Sequence, residues 1–334
     1  MSANPGSDAA GAARTARVHR LLKVLLRAAV SALLIAWVWP ADVSGVVAAL
    51  RNASPGWLAG ALALHAVGVW LSAVRWRMLL VAGGARVSIV RLSASYLVGF
   101  FFNTWLPSGF GGDAVRAWDT RHEAEGAARS VAVIAIERGT GILALLLLGA
   151  VVGVAAGWYA SMPMLVLGLW GATLAGFAAM ATLAAYGPRL AARLEAALPG
   201  LWRWRRAAGV ARRLLATSAA LSGDWPLVVR VLGLGLALQL NVILHYAWIG
   251  KALGVPVASS YFFLVVPVLV VVLTLPISIN GIGAREVVFV RLLGAVGVSR
   301  PEALAVSVAA FALSLVFSLV GGLVFVFRGA RARA

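Results

Sequence analysis

The sequence predicts an all-α integral membrane protein, a polytopic helical bundle of about six full spans plus two re-entrant broken helices, arranged as an inverted repeat. Of its 334 residues, 62% are hydrophobic and 12% are charged. The mean hydropathy is +0.95, far above the range of water-soluble domains. Several apolar runs also approach or exceed the roughly 20 residues that a helix needs to cross the hydrocarbon core.

The apolar runs set the order of the predicted elements. Two of the runs end in sequence rich in glycine, proline and asparagine, which predicts a break inside the membrane rather than a simple crossing. These two are 92–107 and 259–279. The predicted full spans are 28–40, 57–74, 130–157, 162–186, 227–250 and 302–327.

The charge distribution favours re-entrant elements over two additional crossings. The net charge is +18, but the arginines flank apolar spans instead of forming one basic domain, so we expect no nucleic-acid partner. If both broken runs crossed fully, the arginine-rich segment 187–226 would face outward, against the positive-inside rule. If both turn back, that segment and both termini lie in the cytoplasm, and the N-terminal basic stretch is a cytoplasmic tail rather than a signal peptide.

The two halves have the same order of elements, which predicts an internal repeat. Both broken runs begin with Ser-Tyr and reach Leu-Pro before a glycine-rich turn with both charges. An odd number of crossings per half would invert the second half, an arrangement common in secondary transporters. The predicted organisation is a cytoplasmic basic tail 1–27, a first membrane repeat 28–160 with re-entrant element 92–113, a second membrane repeat 161–327 with cytoplasmic basic segment 187–226 and re-entrant element 259–286, and a cytoplasmic tail 328–334.

The first break, PSGFGGDAVRAW, contains candidate substrate-binding residues. A proline ends the preceding helix, the glycines allow close backbone approach, and the aspartate suits the first turn of a new helix. The free backbone amides at the start of a helix attract phosphate, and an arginine one helical turn later strengthens this attraction. The alternative is a cytoplasmic turn closed by a local Asp-Arg pair. The candidates here are Asn103, Pro107, Gly111, Gly112, Asp113 and Arg116.

The second break, PISINGIGAREVVF, repeats the pattern. Charges next to a gap in an apolar run are costly unless they are paired or hydrated. Pairing between the two turns, Asp113 with Arg285 or Arg116 with Glu286, is one open possibility. The candidates here are Pro276, Asn280, Gly281, Gly283, Arg285 and Glu286.

Glu137 and Arg138 form a third candidate, because they lie about two turns inside a predicted span. We expect Glu137 to face protein rather than lipid. A structural ion pair that locks this span to a neighbour is the alternative to a substrate site. Elsewhere, Asn241 and His245 face together, and a hydrogen-bonded packing seam is favoured there over a proton relay. His65 is interpreted as an interhelical hydrogen-bond donor.

Three motifs together, PSGFGGDAVRAW, IERGTG and PISINGIGAREVVF, give the chain a resemblance to a known family. It resembles the lysylphosphatidylglycerol synthase transmembrane-region family, the flippase-like membrane domain of the multiple peptide resistance factor. The resemblance implies a helical membrane domain that handles anionic lipids or lipid-linked sugars. It also carries over the charged residues of the three motifs: Asp113, Arg116, Glu137, Arg138, Arg285 and Glu286.

The expected function is therefore that of a flippase-like lipid translocase of the bacterial inner membrane, rather than an enzyme. Its expected ligand is an anionic phospholipid or lipid-linked sugar with a phosphate head group, and its basic segment 201–215 suits anionic inner-leaflet lipids. The chain ends after the last span, so the soluble synthase domain of two-domain relatives is not expected. With no cysteine and no nucleotide-binding motif, we expect no cofactor, metal or ATP hydrolysis. The alternative function is a membrane accessory subunit that presents lipid to a separate glycosyl- or aminoacyl-transferase.

Overall fold

The computed structural model describes residues 5–39, 43–82, 84–106, 111–124, 126–197 and 225–331. This part of the chain forms eleven α-helices, one 3₁₀ turn and no β-strand, which confirms the predicted fold class. The helices of the first half are α1 (Pro5–Val38), α2 (Ser44–Arg51), α3 (Pro55–Ala82), α4 (Ile89–Trp105), α5 (Gly111–Asp119) and α6 (Ala127–Ala155). Those of the second half are α7 (Pro163–Ala197), α8 (Trp225–Ala252), α9 (Phe262–Thr274), α10 (Ala284–Gly294) and α11 (Arg300–Arg331), with the 3₁₀ turn Ser259–Tyr261 before α9.

Within the described residues, five helices are long and apolar enough to cross a membrane. They are α3, α6, the first part of α7, the main part of α8, and α11, and they coincide with five of the six predicted spans. The first predicted span, 28–40, falls largely within α1, whose apolar part is Val24–Val38. That part is shorter than a full crossing requires.

Both predicted breaks are present. In the first, α4 ends at Trp105 and α5 begins at Gly111, and the two helices pack against each other. In the second, α9 ends at Thr274 and α10 begins at Ala284. Positive φ angles at Asn280, Gly281 and Gly283 shape the second turn, where glycine carries no steric penalty.

One of the predicted site residues and most of the predicted basic segment lie outside the described residues. They are Pro107, with the following SGF, and 198–224 of the basic segment. The return of the two broken helices to the side they entered, the domain boundaries and the cytoplasmic location of the termini stay predictions.

The corresponding helices α3 and α8 run antiparallel along their length. Near the start of α3, the Ser54 amide donates to the Ala252 carbonyl oxygen over 2.7 Å. Further along α3, Gly68 lies against the Asn241 side chain, which is earlier in α8. Later positions of one helix therefore meet earlier positions of the other. An inverted repeat requires this orientation of its equivalent helices.

Each broken helix packs on the last long helix of the opposite half. In one contact α4 lies on α11, where a side chain at Gly321 would overlap the Leu97 carbonyl group. In the other α9 lies on α6, where a Cβ at Gly149 would come within 2.6 Å of the Phe263 carbonyl oxygen. These small residues allow the backbones to approach closely, as glycines commonly do between membrane helices. The broken helices are thereby held between the two halves.

The glycine contact on α6 generates a stability prediction. Gly149→Ala should lower the thermal unfolding temperature in detergent, because overpacking typically costs about 1–3 kcal/mol. Gly168→Ala on α7 is the matched control, since a Cβ there has no neighbour within 4 Å. The control should leave stability unchanged or raise it slightly, as alanine favours helix over glycine. Equal unfolding temperatures for the two variants would contradict the described packing.

Candidate functional site

The first turn positions α5 against α4 through a backbone contact that only glycine permits. A Cβ at Gly112 would overlap the Gly99 carbonyl group of α4. The Gly112 amide donates to Asn103 Oδ1 over 2.8 Å, which occupies one of the free donors at the start of α5. This contact turns the next helical turn, with Arg116, toward the interior, where its side chain is only 5% exposed.

Four charged residues from α5 and α6 form a network that we call the charge cluster: Asp113, Arg116, Glu137 and Arg138. Arg116 Nη2 lies 2.6 Å from Glu137 Oε2, and both side chains are buried. Arg138 Nε lies 2.5 Å from Asp113 Oδ2, and Asp113 Oδ1 lies 3.5 Å from Arg116 Nη1. The prediction that Glu137 faces protein is confirmed. Sequence neighbours Glu137 and Arg138 thus have different acid-base partners, both on α5.

Aromatic rings enclose the Arg116 guanidinium. Its carbon lies 4.2 Å from the Trp76 ring centroid and 4.4 Å from the Tyr96 ring centroid. Cation–π attraction is strongest where water is excluded, and Trp76 is fully buried. These contacts fix the position of the guanidinium in addition to the ion pair with Glu137.

Arg75 is a site residue that the sequence analysis did not select. It is 1% exposed, and its Nη2 donates to the Glu137 carbonyl oxygen over 2.9 Å and to the Thr140 hydroxyl. Its Nε has no hydrogen-bond partner among the described residues. In the sequence, Arg75 resembles one of the cytoplasmic arginines that flank the ends of spans. Helical spacing, however, places it on one face with His65, Gly68 and Ser72. That polar and small face is the signal in the sequence that could have identified it.

A cavity of about 410 Å³ lies between the two halves and is lined by the charge cluster and Arg75. Further polar lining comes from Asn103 and from α3, α8 and α11, through His65, Gln239, Asn241, His245 and Ser314. Three guanidinium groups against two carboxylates leave one excess positive charge in the lining. Arg138 is its most accessible cation, with 38% of the side chain exposed. The cavity is therefore suited to an anion that enters past Arg138.

The histidines at the interface between α3 and α8 show two different contacts. His245 Nδ1 lies 2.8 Å from the Ala61 carbonyl oxygen, as a packing seam between these helices requires. His65 instead packs by its ring against Phe100, Phe317 and His245. The predicted interhelical hydrogen bond of His65 is absent among the described residues.

The residues of the second turn do not line the cavity. Asn280 donates to the Thr104 carbonyl oxygen at the end of α4, so the two breaks touch. Gly283 packs against α1, and the exposed Pro276 follows the end of α9. Gly281 lies against the Leu273 side chain.

Arg285 and Glu286 have local partners. Glu286 accepts from the Gly283 amide over 2.7 Å and from the Ser307 hydroxyl over 2.8 Å. The guanidinium carbon of Arg285 lies 4.7 Å from the Phe311 ring centroid. The possible cross-pairs, Asp113 with Arg285 and Arg116 with Glu286, are therefore wrong. In α10 the first-turn carboxylate of Glu286 accepts from the Gly283 amide, whereas in α5 the first-turn carboxylate of Asp113 pairs with arginines and Asn103 accepts from the Gly112 amide.

The sequence and this architecture agree with one family of membrane domains. Residues 24–322 match the family model of the lysylphosphatidylglycerol synthase TM region. The match covers nearly the whole chain, so the chain belongs to this family. Comparison with curated proteins finds no match.

The buried ion pair generates a second prediction. Glu137→Gln should destabilise the fold by about 3–5 kcal/mol, because it leaves Arg116 buried without its carboxylate. Adding Arg116→Met should recover much of that loss, since both charges are then gone. Thermal unfolding in detergent measures both effects. As a matched control, Glu123→Gln breaks the ion pair with Arg91, whose side chain is 46% exposed, and should cost less than about 1 kcal/mol. Equal costs for the two single variants would contradict a structural role of the buried pair.

Proposed function

We propose that the protein is a lipid translocase of the bacterial inner membrane that moves an anionic phospholipid or a lipid-linked sugar, without enzymatic activity of its own. Membership of the family supports lipid handling in a membrane. The observation that carries the proposal is the cavity between the two halves, whose lining has one excess positive charge. A buried excess cation is costly, and a phosphate group would neutralise it.

In the proposed mechanism the head group binds first at Arg138. The phosphate replaces Asp113 as the ionic partner of the Arg138 guanidinium. Arg138 is the most accessible charge of the cluster. Arg75 then donates a hydrogen bond to the phosphate from its Nε, which has no partner among the described residues. Arg116 is less suited to this role, because it is already bound to Glu137. The acyl chains remain in the bilayer, so only the polar part of the lipid has to pass the cavity.

Movement between the leaflets requires that the cavity open to each side in turn. The antiparallel pair α3 and α8 is the interface at which one half can rock against the other. Each broken helix contacts the opposite half, so such rocking would move both breaks together. The second turn, with Glu286 at its own helix start, serves in this mechanism as a fixed support rather than as a phosphate site.

A scrambling assay tests the proposal. Proteoliposomes with the purified chain and a fluorescent phosphatidylglycerol should lose signal from both leaflets when a membrane-impermeant reductant is added, because lipid of the inner leaflet becomes accessible. Arg138→Gln and Arg75→Gln should each slow this loss at least tenfold, about 1.4 kcal/mol in the barrier. The matched control is Arg121→Gln, whose cation stacks on Trp118 outside the cavity.

The two negative outcomes of the scrambling assay differ in meaning. Equal rates for the wild type and the cavity variants would overturn the role of the cavity. No lipid movement by the wild type, with co-purification of a transferase, would support the accessory-subunit alternative instead.

The proposed orientation is tested by labelling, which the absence of native cysteine simplifies. With both termini in the cytoplasm, a single cysteine at Asn52 should react with an impermeant maleimide on intact spheroplasts. A single cysteine at Ser218, in the basic segment, should react only after the membrane is opened. The reverse pattern would contradict the orientation inferred from the arginine distribution.

A further inference from the structure

Two histidines that the proposed lipid pathway does not use face each other at the interface between the halves. His65 on α3 and His245 on α8 have ring centroids 5.2 Å apart, and both line the cavity. Histidine is the side chain whose charge changes most readily near neutral pH. The pair therefore places a titratable site directly in the wall of the proposed lipid pathway.

The hydrogen bond of His245 defines which nitrogen can take up a proton. Its Nδ1 lies 2.8 Å from the Ala61 carbonyl oxygen, which can only accept, so Nδ1 carries the proton in the neutral ring. Nε2 then holds the free lone pair. A second proton on this ring would add at Nε2 without breaking the bond to Ala61.

Within the described residues, the contacts of His65 are aromatic and leave its ring nitrogens free. It stacks on Phe317 with centroids 4.4 Å apart at an angle of 25°, and Phe100 meets it edge on at 5.2 Å. Aromatic faces attract a cation, so the stacked Phe317 offsets part of the cost of burying an imidazolium at this position. Neither ring nitrogen of His65 is engaged by a hydrogen bond to the described residues.

Electrostatic repulsion limits the pair to one proton. Two imidazolium rings 5.2 Å apart in a poorly hydrated interface would repel strongly. The first proton taken up by either ring therefore disfavours a second. The two rings act as one site that is either neutral or singly charged.

The other charged and titratable groups around the pair link it to the content of the cavity. These are the charge cluster, Arg75, Tyr96 and Tyr246 in the lining, with Arg285 in electrostatic range of Tyr246. The lining already has one excess positive charge, so a proton on the pair raises that excess to two. An anion in the cavity would offset this repulsion and favour proton uptake.

We propose that His65 and His245 together bind one proton, and that this proton is taken up when an anionic ligand occupies the cavity. The inference rests on the proposed function, because it needs an anionic lipid head group in the cavity. The step transfers a proton from a buffer acid in bulk solution to a free ring nitrogen, and the conjugate base of the buffer stays in solution. Coupling between two ligands is reciprocal, so protonation tightens anion binding, and a proton gradient biases lipid movement.

Calorimetry measures the coupling directly. The full chain in detergent is titrated with dihexanoyl phosphatidylglycerol in buffers of different ionisation enthalpy, between about pH 5.5 and 7.5, where an ordinary imidazole titrates. The wild type should take up a measurable fraction of one proton, and at most one proton, per bound lipid. Its affinity should rise as the pH falls, by at most about tenfold per pH unit.

A double variant and a matched control identify the site that takes up the proton. The double variant His65→Gln, His245→Gln should still bind the lipid, but without proton uptake and with no pH dependence. His122→Gln is the matched control, because His122 is exposed on the turn after α5 and does not line the cavity. It should behave as the wild type.

The results of the calorimetry distinguish a failure of the histidine proposal from a failure of the proposed function. Binding without proton uptake by the wild type, or unchanged uptake in the double variant, would overturn the role of the histidine pair and leave the proposed function standing. No binding of the lipid by the wild type at any pH would overturn both proposals.

Discussion

The buried ion pair between Arg116 and Glu137 is the interaction on which the rest of the site depends. Charges with so little water contact are tolerated only where their partners are fixed. Arg116 can reach Glu137 only if α5 lies close against α4, which the glycines Gly99 and Gly112 make possible. The need to pair a carboxylate inside α6 thus accounts for the short helix α5 that follows the break after α4.

The two halves share an order of long helices and breaks, but their turns carry different chemistry. In the first half, Asp113 pairs with Arg138, the cation of the charge cluster with the greater side-chain exposure. In the second half, Glu286 already occupies the amide end of its own helix, and Ser307 holds it there. The first break is therefore suited to bind a ligand, and the second is suited to hold its helices in place. Repetition of a sequence motif does not by itself repeat a binding site.

Local patterns of the sequence predicted the elements but not all of their partners. Hydropathy, proline and glycine locate the five long spans and both breaks, because these depend on composition over a short window. Glu137 could be assigned to a protein-facing position, since a carboxylate facing lipid is too costly. The cross-pairs with Arg285 and Glu286 were wrong because pairing depends on the rotation of each helix and on the offset between the halves. Arg75 was missed because its position near the end of a span resembles a topological charge.

In the proposed function, the cavity is the feature that connects the two halves, the breaks and the buried charges. Arg75 and Arg138 lie on different helices, and their common feature is access to the same space. The proposed lipid transport requires that a lipid phosphate occupy this space.

A cryo-electron microscopy structure of the chain in phosphatidylglycerol nanodiscs tests that claim most directly. Phosphate density is expected within about 3 Å of the Arg138 guanidinium and of Arg75 Nε, with acyl density leading to the bilayer. Lipid phosphates confined to the outer surface, with density for both acyl chains filling the cavity in place of a head group, would contradict it.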